Sequence, residues 1–142
     1  RDLVRSRGLG DVYKRQDLLD ANKNIIISSP AISGTKVYEL INLLKEKQLS
    51  GVQITIVTWA PDSYGFGDAA YWMQLHEEMR KAGFYIKTVE ESCERFAVID
   101  QEVVWYGNIN LLAKDKVDDS IMRVLSKEIA SELMEITFGD NG

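Results

Sequence analysis

The residues of this chain best suited to chemistry lie in its last third, where Cys93-Glu94-Arg95-Phe96-Ala97-Val98-Ile99-Asp100 is followed after six residues by Gly107-Asn108-Ile109-Asn110. Two positions apart on an extended chain share a side, about 7 Å from one another. This spacing expects Cys93 and Arg95 to face one way, and Asn108 and Asn110 likewise. Arg95 offers a fixed fork of donors and the asparagines offer amide donors, a cradle for the oxygens of a phosphodiester. Cys93 adds a thiol, which attacks only as the thiolate and is mostly protonated unless a cation such as Arg95 favours ionisation. Plainer readings stand beside these. Cys93 suits a small buried hydrophobe, Arg95 a surface pair with Glu94 or Glu91, Asp100 a hairpin turn, and the asparagines ordinary loops.

Other chemistry is thin. One histidine and one cysteine fall short of a zinc ligand set. Gly65-Phe66-Gly67 is too slight for a nucleotide loop, so no cofactor is expected. His76 falls on the apolar face of its helix and reads as a packed residue before a catalytic one. Ser28 and Ser29, at a strand end, suit phosphate neighbours or turn residues equally. Trp72 and Trp105 read as core, and Trp59 as the tryptophan placed to stack on a base.

The elements that must position these residues follow from patterning. Ile25-Ile26-Ile27-Ser28-Ser29 before Pro30 is a short buried strand. Val37, Leu40, Ile41 and Leu44 mark an amphipathic helix that Gly51 closes, and 52–58 is a second strand. Residues 60–68 form a turn-rich loop at the carboxyl end of that strand, where open α/β sheets bind ligands. Trp72, Leu75, His76 and Met79 give a second helix up to Gly83, and 84–88 a third strand. The order strand, helix, strand, helix, strand implies parallel pairing. Residues 95–100 and 103–107 form a hairpin about Gln101-Glu102, 108–118 a loop, 120–125 a further strand, and Ser126 caps a final helix with Ile129, Leu133 and Ile136 on its buried face.

On these residues the chain resembles the phospholipase D superfamily, whose hallmark is His-x-Lys-x4-Asp followed by Gly-Ser-x-Asn. The resemblance runs from about Asn24 to Phe138 and includes Ser-Ser-Pro-Ala-Ile-Ser, Val-Val-Trp-Tyr-Gly and Asp-Asp-Ser-Ile-Met-Arg. It is strongest to phospholipase D-like domains at the ends of large bacterial helicase-type proteins. The resemblance implies a mixed α/β sheet with helices on both faces in a single domain. It implies too that Cys93 stands where the family has its nucleophilic histidine, Arg95 where it has lysine, and Asp100 at the aspartate. Gly107 takes the glycine position, Asn108 the serine and Asn110 the final asparagine, while Asp119 matches the acidic residue that orients the histidine. Lysine and asparagine hold phosphate oxygens in that family. Three of the six motif positions differ here, the attacking imidazole among them. An active site of this family joins two motifs and this chain has one, which implies a homodimer or a second phospholipase D-like half.

Composition bounds the rest. With 142 residues, 45% hydrophobic and 27% charged, the chain is of single-domain size and ordinary globular character. No run approaches the roughly 18 apolar residues of a membrane span. A single cysteine favours a reducing, cytoplasmic setting. Residues 1–16 hold five basic residues against Asp2 and Asp11, a local +3, so the net −5 leaves −8 on residues 17–142. Such a body lacks the basic stripe of a general nucleic-acid binder, and phosphate binding must be local. The segment 1–16 lacks periodicity and resembles a translated sequencing linker, with a native basic arm that touches nucleic acid, or a linker from an upstream domain, as the alternatives. It is expected to lie outside the fold, with the domain spanning 17–142. Three functional readings remain: a non-catalytic phosphodiester- or nucleic-acid-binding module of a larger helicase-type protein, an active phosphodiesterase or nuclease working as a dimer through Cys93 or His76, and a structural dimerisation domain.

Overall fold

The computed structural model describes residues 2–5, 15–30, 34–60, 69–90, 93–107 and 120–139. Chain order gives β1 (Asp2–Arg5), β2 (Asn24–Ser28), α1 (Gly34–Leu49), β3 (Gln53–Trp59), α2 (Ala69–Lys81), β4 (Tyr85–Val89), β5 (Phe96–Ile99), β6 (Val103–Gly107), β7 (Ser120–Leu125) and α3 (Lys127–Phe138). The strands form one seven-stranded sheet in the order β1-β7-β6-β5-β2-β3-β4. β2, β3 and β4 are parallel, as the alternation of strand and helix requires. β5 joins β2 antiparallel, and β6, β7 and β1 continue antiparallel beyond it. The mixed sheet expected from the sequence is therefore present.

Local chemistry stops the first two helices. Gly51 and Gly83 adopt φ of 102° and 91°, conformations that cost a Cβ-bearing residue energy. Gly51 N–H donates to Gln48 O and Val52 N–H to Lys47 O, while Gly83 and Phe84 repeat the pattern onto Arg80 O and Met79 O. Each is a Schellman close whose next residue, Val52 or Phe84, is buried and leads to a strand. Ser126 caps α3 by accepting from Ile129 N–H at 3.1 Å. Ile129 and Ile136, expected on the buried face of α3, are instead exposed, and Ala130 and Leu133 make the buried contacts.

The pleat divides the core in two. Ile25, Ile27, Ile54, Ile56, Ala97, Ile99 and Trp105 pack on one face with Val37, Leu40 and Leu44 of α1 and Leu75 and Met79 of α2. Ile26, Val57, Phe96, Val98 and Val104 pack on the other with Ala130 and Leu133 of α3. Helices thus cover both faces.

Two features lie at or before the boundary expected at residue 17. Asp2–Arg5 pair with β7 and form a terminal strand of the sheet, where the sequence pattern gave no element. A helical segment at 15–19 packs Leu18 on the core, and Asp17 receives Arg123 through Nε and Nη2 at 2.7 and 2.8 Å. Arg123 also lies over the buried ring of Trp105, 5.8 Å from its centroid.

The hairpin turn carries the most concentrated polar contact. Asp100 and Gln101 both have positive φ, 55° and 59°, and Glu102 N–H closes the turn onto Ile99 O at 3.1 Å. The Asp100 carboxylate accepts the backbone N–H groups of Asn22, Lys23 and Asn24 at 2.6–3.1 Å, just where β2 begins. Charge-assisted bonds of this kind stabilise more than neutral ones. Asp100→Ala should lower the free energy of unfolding by about 2 kcal/mol in urea titrations. Asp100→Asn, which keeps one acceptor and tolerates the left-handed backbone, should lose about half of that.

His76, the one histidine of the chain, is 1% exposed on α2, and its Nε2 meets no partner among the described residues. Burial, and after it the charge of Arg80, holds its imidazole below the ordinary value of 6.5. The unfolded chain therefore takes up this proton more readily than the folded one. Stability should be full above pH 6.5 and fall below it. His76→Leu should flatten that fall in thermal midpoints measured across the acid range.

Candidate functional site

Strand direction gathers the expected residues at one end of the sheet. β2 and β3 finish there at Ser28 and Trp59, β5 starts there at Phe96, and β6 finishes there at Gly107. Cys93, Glu94 and Arg95 precede β5 without joining its ladder. Asn108 and Asn110 follow Gly107 in the chain and Asp119 precedes Ser120, and all three lie outside the described residues.

Cys93 and Arg95 do not share an environment, as strand spacing expected. Cys93 is half-buried against the α3-side core, whereas Arg95 is exposed. Alternation holds for residues paired in a pleated ladder, and these two stand before it. The Cys93 sulfur lies 3.5 Å from Ser28 Oγ, 3.8 Å from Glu94 O and 3.9 Å from Val57 O, three oxygens around a single S–H. Ser28 Oγ in turn donates to Glu94 O at 2.6 Å. Burial pushes the Cys93 thiol up; the contact with Ser28 and the charge of Arg95 oppose this, and Glu94 adds to it. The neighbouring guanidinium thus fails to ionise the thiol, because desolvation of the thiolate outweighs it.

Ser28 and Ser29 reach the same end but are 1% and 0% exposed. The Ser28 hydroxyl is engaged by the main chain of the motif segment, and Ser29 N–H by Val57 O at 2.9 Å. Of the two, Ser28 touches Cys93. Trp59 is half-buried at this end, with its N–H toward Pro30 O.

Asp100 lies away from Cys93 and Arg95. It sits beside Asn24, at the opposite end of β2 from Ser28, so about four residues of strand, some 13 Å, separate the two ends. His76 lies on α2, against the face of the sheet opposite the one that holds Cys93. Among the described residues no three His, Cys, Asp or Glu side chains gather as a metal site. No helix among them is long and apolar enough to cross a membrane.

Spacing missed Glu94 and Tyr106. Tyr106 Oη donates to Glu94 Oε1 at 3.1 Å, and this bond, with the nearby carboxylate charge, pushes the phenol up. The hairpin turn was the available signal, since it sets Tyr106 opposite Phe96, two residues beyond Glu94.

What the arrangement offers chemically is an exposed guanidinium near a strand end and, two residues before it, a half-buried thiol against the Ser28 hydroxyl. Similar architecture occurs elsewhere. The archaeal chromatin protein TrmBL2, whose structure was described as showing a novel mode of DNA binding, superposes with a TM-score of 0.64 at 11% identity over 95% of this chain. The chain spans 48% of the TrmBL2 chain. NucT from Helicobacter pylori superposes with a TM-score of 0.64 at 12% identity, over 95% of this chain and 91% of that one. At these identities the likeness speaks for the fold. No curated protein matches the chain. The family profile described as cardiolipin synthase, PLD-like domain, matches residues 15–138, and with nearly the whole described fold inside that match the chain belongs to the phospholipase D-like family.

Proposed function

We propose that this domain binds a phosphodiester, as found in nucleic acid, without hydrolysing it, and serves as one module of a larger helicase-type protein. The observation that carries the reading is the state of Cys93. At the position where the family has its nucleophilic histidine, this chain has a thiol that burial keeps protonated and that three protein oxygens surround. Arg95, by contrast, is exposed at the strand end, and its guanidinium is the type of group that phosphate recognition uses. DNA binding by TrmBL2, which has this fold, lends support to a nucleic-acid ligand. The acidic body makes that binding local to the motif end. A second phospholipase D-like half, from another copy or another domain, would complete the site in the manner of the family.

Two measurements test the reading. Hydrolysis of bis-p-nitrophenyl phosphate should stay at background, and a fluorescein-labelled oligothymidine should bind weakly, with affinity falling as salt rises. Arg95→Ala should weaken that binding about fivefold, the loss of one charge-assisted contact. Wild-type turnover that Cys93→Ala abolishes would instead establish a thiolate nucleophile and overturn the non-catalytic reading.

A further inference from the structure

We infer that Tyr106 is a positioning residue, acting through Glu94 to hold the Cys93–Arg95 segment in place; for Arg95, the inference rests on the phosphodiester-binding reading above. The segment stands outside the β5 strand, and Glu94 is anchored twice. Ser28, from β2, donates to its main-chain carbonyl at 2.6 Å, and Tyr106, from β6, donates to its carboxylate at 3.1 Å. These anchors come from the two strands that flank β5, so the approach to β5 is held from both sides. Arg95, next in the chain, lies between this anchored residue and Phe96, which opens β5. Cys93, the preceding residue, keeps its contact with Ser28 for the same reason.

The chemistry of Glu94 favours such a role. A carboxylate next to a phosphate-binding guanidinium repels the ligand, a cost that a solvated side chain would avoid by turning away. Here it is held by the phenol, which satisfies one of its oxygens. Tyr106 is 44% exposed, so its hydroxyl is dispensable for packing, and Tyr106→Phe removes the bond while keeping the ring.

The test uses Cys93, the one cysteine of the chain, as a reporter. Its alkylation by iodoacetamide is followed over a pH series, so that a shift in thiol ionisation is told apart from a change in access. Tyr106→Phe should raise the high-pH plateau rate about threefold, the range expected for loss of one hydrogen bond. Glu94→Ala should match it, and the double variant should be no faster than Glu94→Ala alone. Glu94→Gln, whose carboxamide oxygen still accepts from Tyr106, should keep the wild-type plateau even though the charge is gone. Affinity for oligothymidine should fall about threefold in Tyr106→Phe, and the same substitution should have no effect in the Arg95→Ala background. Plateau rates that stay at the wild-type value in both Tyr106→Phe and Glu94→Ala would overturn the inference. A wild-type chain with no affinity for oligothymidine would sink the binding reading alone, and the alkylation rates would still decide the role of Tyr106.

Discussion

The Asp100 carboxylate, shared among three successive backbone N–H groups at the start of β2, fixes the register on which the site depends. It ties the turn of the β5–β6 hairpin to the head of a strand almost eighty residues earlier in the chain, and so selects Ser28 opposite Phe96 and Ile25 opposite Ile99. Because side chains alternate with period two, a slip of one residue would turn Ser28 and Ile26 to the wrong face and carry Cys93 away from its oxygens. Hydrophobic alternation alone would resist the slip, since Ile26 and Val98 pack on one face and Ile25 and Ile99 on the other. Asp100 adds a polar condition that only one register meets.

At the other end of the same strands, two opposed effects set the character of the site. A guanidinium close to a thiol favours the thiolate, as in many reactive cysteines. Here the thiol sits half inside the core, where a bare negative charge loses its hydration, and desolvation dominates. Imidazole in that place would remain useful near neutral pH because it is uncharged in its attacking form. A cysteine in such surroundings differs from an imidazole in more than the attacking atom. It must be charged to attack, where burial penalises charge.

Much of the fold was legible because its signals are local. Gly51 and Gly83 announce helix ends by the φ they alone accept cheaply, Ser126 caps the helix that it precedes, and apolar residues at helical spacing, such as Leu40 and Leu44, mark buried faces. The site was legible in part. The motif spacing located Cys93 and Arg95 correctly at a strand end, yet it treated them as strand residues with a common face. Whether a residue just outside a ladder turns inward depends on Ser28 and Val57, which are distant in sequence. Asp100 shows the same limit, since its partners are fixed by tertiary register and not by its neighbours. On α3 the apolar spacing picked out Leu133, which is buried, together with Ile129 and Ile136, which are exposed, and it passed over the buried Ala130. The strand Asp2–Arg5 had no periodic signal, because its place in the sheet comes from backbone pairing with β7.

The division of labour along β2 bears on how such a domain changes over generations. Its head is tied to the hairpin turn by Asp100 and its tail to the motif segment by Ser28, with the length of the strand between them. Substitutions at the exposed Arg95 leave the Asp100 clamp untouched, so selection for a folded, abundant protein weighs lightly on that position. The chemistry of the motif end can then change over generations while the scaffold persists.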